Sequence, residues 1–200
     1  MDHLYTKIRD VKTDNTEFRR YAKRLMTVIC EEGLSYVSPV QTTVNTPVDD
    51  YTYAGTSIEN PSIVAVSIIR AADSMLDCFM NIVPECSVGK ILIQRNEETA
   101  MPEMFYAKLP PLEGKNVVLL DPMLATGGSA KMAIKSLLGK GAQEEKITFM
   151  CVVSCPQGIE NIMTDYPKVT IISGAIDEGL TSKKYIYPGL GDYGDRFFST

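Results

Sequence analysis

Five short apolar runs, IVAVSII (63–69), KILIQR (90–95), NVVLL (116–120), ITFMCVV (147–153) and VTIIS (169–173), dominate the chain after its first third. Helical patterns alternate with them. Residues 74–83 form one. Ala130, Ala133, Ile134, Leu137 and Leu138 mark the face of a second, and Ile159, Ile162 and Met163 lie on a third. Continuous apolar strands separated by helices predict an α/β fold with a mostly parallel sheet covered on both faces. In such sheets ligands bind beyond the carboxyl ends of the strands. The loops after residues 69, 95, 120 and 173 are therefore where chemistry is expected.

The rest of the 200-residue chain fits one domain, 1–200, without repeats or linkers. Phe18, Tyr21, Leu25, Val28 and Ile29 recur at helical spacing and predict a helix over 16–32, with Gly33 as its stop. Residues 36–60, rich in Thr, Val and Tyr, predict short strands or a hairpin. A net charge of −5 argues against a general nucleic-acid binder. The odd set of five cysteines, without CxxC, reads as buried free thiols of a reducing, cytoplasmic setting. His3, near the N-terminus, is the only histidine, which argues against a histidine triad or a multi-histidine metal site. Residues 1–20 carry charges of both signs, unlike a signal peptide, and the apolar runs are too short to cross a membrane.

The stretch DPMLATGGSA (121–130) leaves a strand and enters a helix. Gly127 and Gly128 allow close backbone approach, so that amide N–H groups at the helix N-terminus converge on an anion. Thr126 and Ser129 add hydroxyls, and Asp121 offers a carboxylate to sugar hydroxyls. An acid for a ribose beside donors for its 5′-phosphate fits a ribose-phosphate site. A tight turn capped by Ser129 is the plainer alternative. Neither a Walker GK[ST] nor a GxGxxG follows, which disfavours ATP hydrolysis and hydride transfer.

DPMLATGGS resembles the PRPP-binding motif of type I phosphoribosyltransferases, in the form used by the uracil phosphoribosyltransferases. Three further segments extend that resemblance over nearly the whole chain. VSIIRAADSM (66–75) resembles the family's VxIxRAGxSM, although Ala72 stands where glycine is usual. KILIQRNEETAMPEMFYAKLP (90–110) resembles its QRDxxTxxPxxYxxKLP, and YIYPGLGDYGDRFFST (185–200) its YxxPGxGDxGDRxFGT, with Ser199 at a usual glycine. Four motifs in order are far more specific than any one.

The resemblance implies the type I phosphoribosyltransferase fold with a small hood and a β-arm. It implies transfer of ribose 5-phosphate from PRPP to uracil, giving UMP and diphosphate, with Mg²⁺ bound mainly through PRPP and no all-protein metal cage. By resemblance, Arg70, Asp121 and Asp192 are catalytic. Arg70, Arg95, Asp121, Pro122, Met123, Leu124, Ala125, Thr126, Gly127, Gly128, Ser129 and Asp192 bind PRPP. Ala125, Tyr185, Ile186, Gly191, Asp192 and Tyr193 form the uracil pocket, with Ile186 and Gly191 reading the base through their backbone. Residues 95–110 look like a mobile loop in the family. A homodimer or homotetramer and a GTP effector are further implications. No extra cation is expected in the C-terminal pocket, which disfavours orotate. The alternatives are a phosphoribosyltransferase for another base and a pyrimidine-sensing RNA-binding regulator on the same fold.

Overall fold

The structure is a computed structural model that describes residues 1–37, 39–58, 62–95 and 102–200, with Arg95 described by its backbone alone. Helices α1 (Asp2–Arg9) and α2 (Asn15–Leu34) precede a hairpin of β1 (Pro39–Asn45) and β2 (Thr52–Ile58). Next come β3 (Ile63–Ile69), α3 (Asp73–Ile82), β4 (Ser87–Arg95), β5 (Pro102–Lys108), β6 (Asn116–Leu120) and β7 (Met123–Leu124). The chain continues through α4 (Gly128–Gly139), β8 (Ile147–Ser154), α5 (Pro156–Asp165), β9 (Thr170–Ile176), β10 (Gly179–Leu180), β11 (Ile186–Tyr187) and α6 (Tyr193–Phe198).

The main sheet runs β5-β4-β3-β6-β8, with β9 and the short β7 also pairing with β8. Strands β3, β4, β6, β8 and β9 are parallel. Every residue of β6 and β8 is buried, and all but the last of β3. Side chains alternate between faces along a strand, so burial at every position means both faces are covered. Helices α2 and α3 pack together and reach β8 and β3, while α4 packs on α5, β4 and β5.

The N-terminal half of the helical layer follows from local chemistry. Asp14 caps α2, its Oδ1 accepting from the Glu17 amide at 2.9 Å. Phe18, Leu25 and Ile29 are buried as expected, but Val28 is 45% exposed and points away from the core. Gly33 lies within the helix. A Cβ there would sit 2.6 Å from the Met150 Cε, so its bareness serves close packing of α2 on β8. Helix α1 was not anticipated; Leu4, Tyr5 and Ile8 are its buried face. The expected loop over 95–110 is corrected in part. Residues 102–108 are a strand, because β4 presents a free edge and Met104, Phe105 and Tyr106 suit antiparallel pairing with it. Residues 96–101 lie outside the described residues.

All five cysteines are free and buried. Burial pushes the thiols of Cys30 and Cys151 up from near 9 to about 12. A raised thiol favours the folded state below its unfolded value, and that contribution disappears as pH rises toward the folded value. The melting temperature is therefore expected to hold up to about pH 9 and to fall between about pH 9 and 12. Thermal melts across pH 7–11 check this; a flat profile beyond pH 10 would contradict it.

Candidate active site

Strand β6 ends at Leu120, and the chain turns through Asp121 and Pro122 into β7. The turn is fastened to β8 by main-chain bonds. The Asp121 amide donates to the Met150 carbonyl at 3.2 Å, and the Pro122 carbonyl accepts from Val152 and Val153. Leu124 is buried, and its carbonyl accepts from the Cys155 amide. Residues 121 and 123–130 then line a small concavity of about 40 Å³ that ends on the N-terminus of α4. No side chain caps α4, and Gly127 precedes it with φ 80, a left-handed conformation suited to glycine. The first-turn N–H groups thus face the concavity, the arrangement that binds anions. Ser129 lines this hollow and does not cap the helix.

Helix α5 supports this corner from behind. Asn161 Nδ2 donates to the Thr126 carbonyl at 2.7 Å, and Lys131 Nζ bridges to Asn161 and Asp165. Gly158 lets the two backbones touch, since a Cβ there would lie 2.5 Å from the Ala125 carbonyl oxygen and 2.8 Å from that of Leu124. Gly158→Ala is therefore expected to displace the 124–126 backbone. We expect about 1–3 kcal/mol of destabilisation, as for overpacking generally. Thermal melts measure it.

A larger cleft of about 370 Å³ opens beside the anion corner. Asp121, Met123 and Ala125 of the anion corner line it together with Tyr185, Ile186, Gly191, Asp192, Tyr193 and Gly194 of the C-terminal segment and Ala71 after β3. The anion corner and the C-terminal segment thus face a common space. Ile186 is buried in β11, while Tyr185 is exposed at the mouth. Gly191 has φ 81, and Asp192 caps α6 through Oδ1, which accepts from the Asp195 amide at 2.9 Å.

Three details differ from expectation. The Tyr193 side chain turns away from the cleft into the core, where it is 1% exposed, so at most its backbone faces a base. Arg70 does not line the cleft. It follows β3, with a cis Ile69–Arg70 peptide, and its guanidinium donates to Asp195 Oδ1 at 3.0 Å and Thr200 Oγ1 at 3.1 Å. Lys183 and Lys184 do line the cleft, so the pocket carries the cations that the sequence reading denied it. The signal was their position, directly ahead of YIYPG. Ala72 adopts ordinary helical dihedrals (φ −70) and is buried, so the position does not demand glycine. Ser199 adopts φ 62, where glycine would be at ease. The role expected of the Arg95 side chain lies outside the described residues.

The family model for uracil phosphoribosyltransferase matches residues 1–200 of this sequence. The chain belongs to the uracil phosphoribosyltransferase family. A uracil phosphoribosyltransferase of Lachancea kluyveri is 43% identical over 98% of this chain and 90% of its own length. One from Wolinella succinogenes is 39% identical over 100% and 95%. A solved structure of an Aquifex aeolicus protein superposes with a TM-score of 0.85 at 34% identity, covering 100% of this chain and 94% of that one. A hypoxanthine-guanine phosphoribosyltransferase structure from Bacillus anthracis, 12% identical with a TM-score of 0.50 over 80% of each chain, shares the fold alone. The architecture of this family member is the type I phosphoribosyltransferase fold, with the β1–β2 hairpin as a separate antiparallel arm.

Proposed function

We propose that the chain transfers the 5-phosphoribosyl group of PRPP to N1 of uracil, releasing diphosphate and forming UMP. The observation that carries this reading is the single cleft shared by the anion corner after β6 and the C-terminal segment. Family membership supports it.

In this reading the amides of residues 126–129 hold the 5′-phosphate at the α4 N-terminus, and Asp121 accepts hydrogen bonds from the ribose hydroxyls. Main-chain groups of Ile186 and Gly191 read the donor and acceptor edge of uracil. Cytosine presents the wrong pattern there, at about 1–3 kcal/mol for each buried group left unpaired. Displacement at C1 passes through an oxocarbenium-like transition state. The chain supplies orientation and charge, not a covalent nucleophile. Arg70 is the cation for departing diphosphate. Its ion pair with Asp195 is half-exposed on both sides, and exposed pairs contribute only about 0–1 kcal/mol, so the guanidinium can exchange Asp195 for phosphate at little cost.

Asp121 and Asp192 are the carboxylates of the cleft, a hard-oxygen pair suited to Mg²⁺ that keeps most of its ligands from phosphate and water. Bound with PRPP, the metal would neutralise charge on the leaving diphosphate. The assignments of Arg95, Pro122, Met123 and Leu124 to PRPP belong to the same proposal, as do a cytoplasmic setting and a GTP effector. A dimeric or tetrameric assembly is supported by the hairpin, which exposes Val40, Val44, Val48, Tyr51 and Tyr53.

The deciding experiment is UMP formation from PRPP and Mg²⁺ with uracil, cytosine, orotate and hypoxanthine in parallel. Product with uracil alone is expected. No product from folded protein, together with RNA binding in a gel shift, would instead favour the regulator reading.

A further inference from the structure

The segment that faces the base is built on an unusual turn. Residues 186–191 contain a cis Tyr187–Pro188 peptide and two glycines with positive φ, Gly189 at 62° and Gly191 at 81°. Between Ile186 and Gly191, the polar groups of Gly189 are both taken up by residues that do not line the cleft. Its amide donates to Asp177 Oδ2 at 2.9 Å, and its carbonyl accepts from Arg9 Nη1 at 2.7 Å. The same arginine grips Asp177 bidentately, Nη1 to Oδ2 at 2.8 Å and Nη2 to Oδ1 at 2.6 Å.

This pair is itself anchored. The Asp177 side chain is 5% exposed, and its amide donates to the Ser154 carbonyl at the end of β8. Arg9 lies over the Tyr5 ring at 5.3 Å, and the Tyr5 hydroxyl donates to the Val152 carbonyl. A second arginine repeats the pattern on the far side of the turn. Arg196 donates to the carbonyls of Leu190 at 2.7 Å, Asp10 at 2.9 Å and Ile8, with its guanidinium 4.3 Å over the Phe18 ring. Helix α1 is thus tied to the base-facing turn through residues at its C-terminal end, and neither Arg9 nor Asp177 lines the cleft.

We propose that Arg9 and Asp177 are positioning residues for base recognition, holding the 186–191 turn in the shape that admits uracil. The proposal rests on the reading that this turn faces the base. A reader made of main-chain groups cannot adjust by changing rotamer, so its accuracy depends on what fixes the backbone. The Arg9–Asp177 pair clamps both polar groups of Gly189, midway between the two reading residues. The planar fork of Arg9 bonds a carboxylate and a carbonyl together, which a lysine does not reproduce.

The test compares Arg9→Gln, Arg9→Lys, Asp177→Asn and Gly191→Ala in steady-state kinetics, normalised to folded protein. The expected result is a KM for uracil raised about tenfold or more in Arg9→Gln and Asp177→Asn, as for displaced positioning groups generally. The KM for PRPP should change by less than about twofold, and Arg9→Lys should recover part of the loss. Discrimination against cytosine should fall in step. A lowered melting temperature with uracil KM unchanged would overturn the proposal and leave the pair a purely structural one. If Asp177→Asn does not fold, Arg9→Gln decides, since that side chain is 22% exposed. Gly191→Ala separates the two layers of the argument. If it raises the uracil KM while Arg9→Gln does not, the clamp fails; if neither raises it, the base-facing reading fails and the clamp with it.

Discussion

Asp121→Asn is expected to reduce turnover by about 10²–10³-fold, the range for removing one preorganised electrostatic contact to a transition state, while the protein stays folded. Asp121 stands where β6 ends, on the wall shared by the anion corner and the larger cleft. Its amide hydrogen-bonds the Met150 carbonyl and its Oδ1 accepts from the Met123 amide at 3.4 Å, contacts that asparagine can keep. On the proposed mechanism, the substitution removes the negative charge that faces the ribose and the positive character developing at C1. Arg70→Ala should give a comparable loss by a different route. On the proposed mechanism it deletes the cation available to the departing diphosphate, and within the fold it breaks a half-exposed pair with Asp195 and a hydrogen bond to Thr200. Circular dichroism and thermal melts establish folding, and single-turnover kinetics isolate the chemical step. Near-normal rates in both variants would remove these two residues from the mechanism.

Tyr193→Ala is expected to have the largest effect on stability, about 3–5 kcal/mol, the usual range for truncating a fully buried aromatic. For a chain of this length that corresponds to roughly 6–20 °C in Tm. The ring packs edge-on against Phe18 at 5.4 Å and stacks on Phe197 at 5.7 Å. Its hydroxyl meets Ser74 Oγ and Met26 Sδ, each at 3.1 Å, and burial raises its phenol above the ordinary value. It therefore joins α2, α3 and α6 at one point. Tyr193→Phe keeps the packing and should cost only about 1 kcal/mol, the net worth of a typical hydrogen bond. Because α6 starts beside Asp192, the alanine variant should also raise both KM values, whereas the phenylalanine variant should not. A stable alanine variant with a weakened uracil KM alone would return the side chain to the pocket.

The parallel, doubly covered sheet and the position of the anion corner were legible in the sequence for a definite reason. Strands buried on both faces are almost wholly apolar, as in NVVLL and ITFMCVV, and Gly127, with its positive φ, marks a strand-to-helix turn that few side chains allow. Those signals are local and survive without knowledge of the fold. The register of roles around the cleft is not local. The motif marks Arg70 as a cation at a strand end, but not the partners that hold it, Asp195 and Thr200, which lie 125 and 130 residues away. Tyr193 sits in the pocket motif, yet α6 turns its ring toward Phe18, far off in sequence. Lys183 and Lys184 gained their place in the cleft only when β10 and β11 paired and folded the segment back. Periodicity and glycine placement record which backbone shapes a stretch can adopt. They do not record which side of that backbone faces a partner more than a hundred residues away, and only the packing of α1, α2 and α6 around the C-terminal turn decided it.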